Sequence, residues 1–437
     1  MTISPEDPVK DKKIEFLLRV KEIHLQLLET LDYYKINTLQ KDQETLNAYL
    51  YEEIDKTIAK MNLTPGSPED NKILSSSVFD EVTGFGPVET LLRDKTVTDI
   101  FINGPDEVYI ETYGRIQKTS ITFLNHEHIL RLVHRVASKS GRHLDLGTPY
   151  FDSQLPDGSR IHAIIPPLAI DGIKVSIRKY SFQKLDLYSL VERGCLNEEM
   201  AKFLQICVKA RFNIIICGGT GSGKTTLMNS LLASISKGER MITIEDTPEL
   251  EPSHSHVVRL LTRLANPEGK GAVTQADLMI NALRMRPDRV ILGELRGAEA
   301  FNLLHAMNTG QDGTMTTLHA SGTEEVISRL LNMILMARYT LSVESVRQQI
   351  AGALDLIIYV TRLVDGSRRL MTMSQVCSAE DGDIQINDIF RFEIEKITEE
   401  ELKGKFVKCP IPISNRIANK LITVGLLNEY KDIISSS

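Results

Sequence analysis

The chain has 437 residues, enough for two or three domains that each bury a core of their own. It is 42% hydrophobic and 25% charged, as globular proteins are, and its formal net charge of −7 weighs against nucleic acid as the main partner. Cys195, Cys207, Cys217, Cys377 and Cys409 are scattered and form no C-x-x-C pair, which argues against a disulfide framework and a structural zinc site. No apolar run is as long as a membrane span and the N-terminus has no signal-peptide core, so the sequence reads as cytoplasmic.

Residues 1–62 are charged and leucine-rich. Ile14, Leu17, Leu18, Ile23, Leu27, Leu28 and Leu31 recur at near-helical spacing, which predicts two or three amphipathic helices. Such helices either dock a partner or cap the next domain. The cluster Leu63-Thr64-Pro65-Gly66-Ser67-Pro68 reads as a linker. Residues 70–180 then mix short β-rich runs (VTDIFING, EVYIETYGRI, SRIHAIIPPLAI, GIKVSIRKY) with a helix over His126 to Ser140, predicting an α+β domain. Arg142, Arg160, Arg178 and Lys179 lie near its strand ends. A further linker is expected over 181–190, beginning at Tyr180.

Residues 191–437 change character. After a helix from Leu196 to Arg211 comes the apolar run Ile214-Ile215-Ile216-Cys217, a buried parallel strand by length and composition. It runs into Gly218, Gly219, Thr220, Gly221, Ser222, Gly223, Lys224 and Thr225, followed by Thr226 and a helical pattern. This is G-x-x-x-x-G-K-[ST] between a strand and a helix. Glycines let successive N–H groups face phosphate oxygens, and the helix start adds its positive dipole end. Lys224 reaches the β- and γ-phosphates, and the Thr225 hydroxyl sits on Mg²⁺. The stretch predicts a P-loop that binds ATP with Mg²⁺.

Strands and helices then alternate, as in a parallel sheet: RMITIE, HVVRLL, a helix over Thr274 to Met285, RVILG, a helix over Ala298 to Met307, and GTMTTL. Glu294, directly after VILG, is the expected catalytic base. Glu245 and Asp246 end the neighbouring strand and offer two more carboxylates for Mg²⁺ or the attacking water, in roles the sequence does not rank. The metal-binding set is therefore Thr225, Glu245, Asp246 and Glu294. His319, at the end of TMTTLHA, is placed to sense the γ-phosphate. Arg284, Arg286 and Arg289 precede Glu294 and reach the active-site edge, a neighbouring subunit or solvent.

IEDTPE, HVVRL, NALRMRPDRVILGELRGAEA and NTGQDGTMTTLHA follow this P-loop in order, and the set resembles the type II/IV secretion ATPase superfamily. Within it the chain is most similar to the CpaF branch, which serves Flp (tight-adherence) pili. FGPVETLL, IFINGPDEVYIE, LPDGSRIHAIIPPLAIDG, IRKYS and DGSRRL extend the likeness from about Phe79 to the C-terminus.

The resemblance implies an α/β RecA-like P-loop NTPase domain behind a PAS-like α+β domain, with the N-terminal helical segment in front. It also implies a homohexamer bound peripherally to the inner membrane through a polytopic platform protein. Glu245 falls in its Asp box, Glu294 in an atypical Walker B and His319 in its His box. Arg142, Arg160 and Arg178 become phosphate contacts from the N-terminal domain. Gln311 stands where many relatives have a histidine, so only His319 carries over. The leading expectation is an ATPase that powers Flp-type pilus assembly or secretion. The alternatives are the ATPase of a type IV secretion or conjugation system, or a nucleotide-dependent switch with negligible turnover.

Overall fold

The computed structural model describes residues 8–32, 42–63, 67–140, 142–180, 185–263, 265, 270–337, 341–378, 383–398 and 402–435. The chain divides into two compact units, Met1–Phe182 and Gln183–Ser437.

The first unit holds two cores. Helices α1 (Pro8–Thr30), α2 (Gln43–Lys60) and α3 (Pro68–Thr83) pack around Val20, Ile23, Leu27, Leu50, Ile54, Leu74 and Val78. Asp42 and Ser67 accept N–H bonds at the starts of α2 and α3, which fixes where each helix begins. The cluster expected as a linker at 63–68 therefore ends in a helix cap inside a three-helix bundle; its residues 64–66 lie outside the described residues.

Behind the short helix α4 (Glu89–Arg93) is an antiparallel sheet of β1 (Val97–Gly104), β2 (Glu107–Thr112), β3 (Arg115–Lys118), β4 (Tyr150–Gln154), β5 (Arg160–Ile164) and β6 (Lys174–Arg178). Its order is β3-β2-β1-β6-β5-β4. Helix α5 (His126–Lys139) buries Ile129, Leu132 and Val133 in the sheet's core. Strand β4 has no counterpart in the sequence reading, because Tyr-Phe-Asp-Ser-Gln is short and half polar.

Buried polar contacts join bundle to sheet. His128 Nε2 of α5 lies 2.9 Å from Glu81 Oε2 of α3, and Arg135 donates to the carbonyls of Glu81 and Val82 at 2.6 and 2.9 Å. Helix α3 is thus tied to α5 within this unit.

The second unit begins with α6 (Leu187–Glu192), capped by Asp186, and α7 (Glu198–Lys209). The expected linker over 181–190 overlaps α6, and its residues 181–184 lie outside the described residues. Then come β7 (Ile214–Cys217), α8 (Lys224–Leu232), β8 (Met241–Glu245), β9 (Val257–Leu261), α9 (Gln275–Leu283), β10 (Arg289–Leu295), α10 (Glu299–Asn308) and β11 (Met315–Leu318). Helices α11 (Thr323–Met336) and α12 (Val343–Ala353) lead to β12 (Leu356–Arg362), β13 (Arg368–Ser378), β14 (Ile384–Ile397) and β15 (Leu402–Lys408). Helices α13 (Asn415–Thr423) and α14 (Leu427–Ser435) close the unit.

The strands form one nine-stranded sheet, β15-β14-β13-β12-β7-β11-β10-β8-β9. Strands β12 through β9 in that order pair in parallel, as expected for all but β12, which the sequence reading did not name; the central strands of this set are buried. The sheet is nevertheless mixed: β13, β14 and β15 extend it as antiparallel hairpins. Among the described residues no helix is long and apolar enough to cross a membrane.

Candidate active site

The P-loop follows β7 at its carboxyl end and turns into α8 at Lys224. Gly223 holds φ +96°, a left-handed conformation that glycine adopts without strain. Gly218 is needed for space, since a Cβ there would lie 2.2 Å from the Val360 carbonyl oxygen of β12. Gly219, Thr220 and Gly221 form the exposed outer face, while Ser222 and Lys224 are buried and Thr225 and Thr226 are half-buried. Lys224 Nζ donates to the carbonyls of Gly218 and Gly219 at 3.0 and 2.8 Å, so its ammonium lies over the loop.

Parallel strands bring the remaining candidates to the same sheet edge. Between β10 and β11 the register shifts between Leu292 and Leu295, and Glu294 sits in that irregularity. Its Oε1 lies 2.7 Å from His319 Nε2, and its Oε2 accepts from Arg296 Nε and Nη2 at 2.8 and 2.5 Å. Burial, together with the positive charge of Lys224, outweighs Glu294 and holds the His319 imidazole below its usual pKa, so it is neutral at pH 7.

Glu245 occupies a different environment. Its Oε1 accepts from the backbone N–H groups of Glu249 and Leu250 at 2.8 and 2.7 Å, and its Oε2, also buried, accepts no hydrogen bond. Burial pushes its pKa up to about 7, against the pull of those two N–H groups and of Arg259. Gly293 brings β10 close to it: a Cβ there would lie 3.1 Å from Glu245 Cγ. Asp246 accepts from Thr262 Oγ1 at 2.9 Å and pairs with Arg296 at 3.4 Å.

Two residues not singled out from the sequence belong to this cluster. Glu249, the second glutamate of IEDTPE, places Oε2 3.3 Å from Thr225 Oγ1, so it and not Glu245 touches the P-loop threonine. Arg296 bridges Glu294 and Asp246, and its signal was the basic residue two positions after Glu294.

Other candidates lie elsewhere. Arg289 is fully buried, donates to Glu239 Oε2 at 2.6 Å and to the Val208 carbonyl at 2.8 Å, and is a structural residue rather than an active-site edge. Gln311 donates to the Pro287 carbonyl at 3.2 Å. In the first unit Arg160 and Arg178 face each other across β5 and β6, and Arg178 pairs with Asp99 at 3.4 Å. The half-buried Arg142 follows α5, its N–H bonded to the Ala137 carbonyl.

These groups suit a nucleoside triphosphate and Mg²⁺. The loop presents a buried ammonium beside a helix start, as a polyphosphate requires. Thr225 and Glu249 offer two adjacent oxygen donors of the kind a hard cation takes. Among the described residues no set of three or more His, Cys, Asp or Glu side chains could hold a metal by itself.

The family model for type II/IV secretion system proteins matches residues 81–396. A protein of Mycobacterium tuberculosis (strain CDC 1551 / Oshkosh), named "Putative conjugal transfer protein", is 38% identical over 306 residues, covering 69% of this chain and 86% of its own length. The type IV secretion system protein VirB11 of Brucella suis biovar 1 is 32% identical over 311 residues, or 65% of this chain and 86% of that one. VirB11 of Bartonella quintana is 30% identical over 336 residues, or 67% and 92%. The solved VirB11 ATPase of the Brucella suis type IV secretion system, in complex with sulphate, aligns over 68% of this chain and 94% of its own at 29% identity and TM-score 0.36. On the family match and these sequence identities, the chain belongs to the type II/IV secretion system protein family.

Proposed function

We propose that this chain is an Mg²⁺-dependent ATPase that converts hydrolysis into domain motion for a type IV secretion or conjugation machine. The observation that supports it most is the meeting, at one sheet edge, of the Lys224 P-loop with Glu294 and His319. The names of the relatives, conjugal transfer protein and VirB11, favour the type IV setting over the Flp-pilus branch suggested by the sequence motifs. Flp-pilus assembly is a finer reading that rests on those motifs alone.

In this reading the P-loop N–H groups and Lys224 hold the β- and γ-phosphates, and Thr225 with Glu249 holds Mg²⁺. The ion, when bound, neutralises charge between those phosphates. Glu294 takes the proton of the attacking water, and the His319 imidazole sits against the other side of that carboxylate, placed to sense the γ-phosphate. Arg142, Arg160 and Arg178 reach the phosphates from a PAS-like domain, whose release after hydrolysis is the motion. The subunits assemble as a homohexamer on a polytopic inner-membrane platform.

The direct test is steady-state hydrolysis by the purified chain with Mg²⁺. Lys224→Ala should abolish turnover while circular dichroism stays unchanged, because only a positive charge on the phosphates is lost. A folded Lys224→Ala chain with normal turnover would place the site elsewhere. Turnover at background, even with a cognate membrane partner supplied, would favour the switch reading.

A further inference from the structure

The turn between β12 and β13 places two arginines against the P-loop from the side opposite the carboxylates' strands. Asp365 sets that turn: its Oδ1 accepts from the N–H and the hydroxyl of Ser367 at 3.0 and 2.7 Å, while Leu363 N–H reaches the Ser367 carbonyl at 2.8 Å. The first cross-strand pair outside the turn is then Arg362 opposite Arg368. Like charges directly opposite one another on adjacent strands are destabilising, so the hairpin does not gain from this pair on its own.

Both side chains extend over the glycines of the loop. Arg368 Nε donates to the Gly221 carbonyl at 3.0 Å, and a Cβ built on Gly223 would lie 3.2 Å from Arg368 Cδ. A Cβ built on Gly221 would lie 3.8 Å from Arg362 Nη1. The backbone is fixed here as well, because β12 pairs with the P-loop strand β7 from Leu356–Ile214 to Tyr359–Cys217. Two guanidinium groups are thus held by a rigid sheet at the outer face of a loop whose own Lys224 is a third cation. Three positive charges gathered around exposed backbone suit a polyanion, and a guanidinium presents the planar fork that matches phosphate oxygens.

We propose that Arg362 and Arg368 bind the phosphate chain of the nucleotide from within the same unit, as a second cationic wall facing Lys224. The inference rests on the P-loop being the nucleotide site. Arg368 does two things in it: Nε–H fixes the loop through Gly221, and the rest of the fork meets the phosphates. The pair stands at the ends of R-L-V-D-G-S-R, and Arg368 falls in the DGSRRL motif that carries part of the resemblance.

The test is equilibrium binding of ATP, and separately of inorganic tripolyphosphate, to the full chain with Mg²⁺. Arg362→Gln and Arg368→Gln should each weaken both ligands by about tenfold, the loss typical of one charge-assisted hydrogen bond. Arg368→Lys should recover most of that affinity by restoring the charge, and binding should fall less steeply with salt in the glutamine variants than in wild type. Melting temperatures of the same proteins report on folding, and should Arg368→Gln fail to fold, Arg362→Gln and Arg368→Lys carry the comparison.

Wild-type affinity for tripolyphosphate in both glutamine variants, with Lys224→Ala weakened, would overturn the inference and leave Arg368 as a structural cap of the loop. Loss of ATP binding with tripolyphosphate binding intact would also overturn it, since the pair would then hold the base or ribose. Undiminished binding in Lys224→Ala would overturn the P-loop reading itself.

Discussion

His319 Nε2 lies 2.7 Å from Glu294 Oε1, so a residue just past β11 and one in the irregular end of β10 meet at the sheet edge. The other oxygen of the same carboxylate is held by Arg296, which also touches Asp246. Glu294 is therefore held from two sides, and its aim depends on both partners.

That arrangement separates binding from chemistry. Glu294→Gln is nearly isosteric, but cannot take a proton. Nucleotide should bind as in wild type while hydrolysis falls by roughly 10²–10⁴-fold, as for a lost general base. Single-turnover hydrolysis beside equilibrium binding checks this. Near-normal turnover in Glu294→Gln, with Glu245→Gln inactive, would reverse the two roles.

The first unit carries a pH dependence of its own. Burial raises the Glu81 carboxyl, but the hydrogen bond from His128 and the charges of His128, His24 and Arg135 more than offset this and leave it below its ordinary 4.5. His24 is pushed below its ordinary 6.5, chiefly by burial. In both cases the unfolded chain binds protons more readily than the folded one, so stability falls as pH falls. The loss should begin below pH 6.5 through His24 and deepen below pH 4.5 as Glu81 is protonated. Thermal melts from pH 8 to pH 4 should show both steps, and Glu81→Gln should remove the lower one. A melting temperature that does not change over this range would refute the assignment.

Where the sequence was legible, one periodicity or one loop geometry determined the outcome. The run Ile214-Ile215-Ile216-Cys217 could only be a buried strand, and the glycines after it required a loop of this shape. Helix α5 was equally plain, with Asn125 as its cap and Ile129, Leu132 and Val133 on one face. Side-chain partners at the strand ends were not legible, because they depend on strand order. Glu245 and Glu249 lie four residues apart, yet only the turn after β8 decides which one meets Thr225. The antiparallel hairpins were missed for another reason. Their strands lack the continuous apolar runs of the central parallel ones, and β13 mixes Arg, Thr, Ser and Gln with its apolar residues.

Arg160 and Arg178 present a second pair of arginines directly opposite each other, at the start of β5 and the end of β6. If this end of the sheet meets phosphate during turnover, Arg160→Ala and Arg178→Ala in the full chain should lower kcat strongly and leave nucleotide affinity nearly unchanged. Asp99→Ala, which removes the carboxylate beside Arg178, should have a smaller effect. Unchanged kcat in both arginine variants would leave them as surface charges and remove the closing-domain mechanism.

The last prediction concerns Arg289, read from the sequence as a candidate near the active site and found buried at the start of β10. Its guanidinium meets both oxygens of Glu239 at 2.6 and 3.2 Å and the Val208 carbonyl at 2.8 Å. Gly313, at φ +78°, gives it room, since a Cβ there would lie 2.1 Å from Nη1. The two partners are not equivalent. Glu239 has a second cation, Arg211, at 3.1 Å on the exposed side, whereas Arg289 has no other carboxylate within ion-pair distance among the described residues. Removing Glu239 therefore strands a buried charge, which typically costs about 3–5 kcal/mol. Removing Arg289 leaves a carboxylate that Arg211 and solvent can still satisfy. Glu239→Ala should thus lower the melting temperature of the second unit by on the order of 10 °C. Arg289→Met, similar in length and apolar, should cost clearly less, and adding it to Glu239→Ala should recover part of the loss. Equal losses in the two single variants, with no recovery in the double, would show that Arg289 is held by packing rather than by its charge partner.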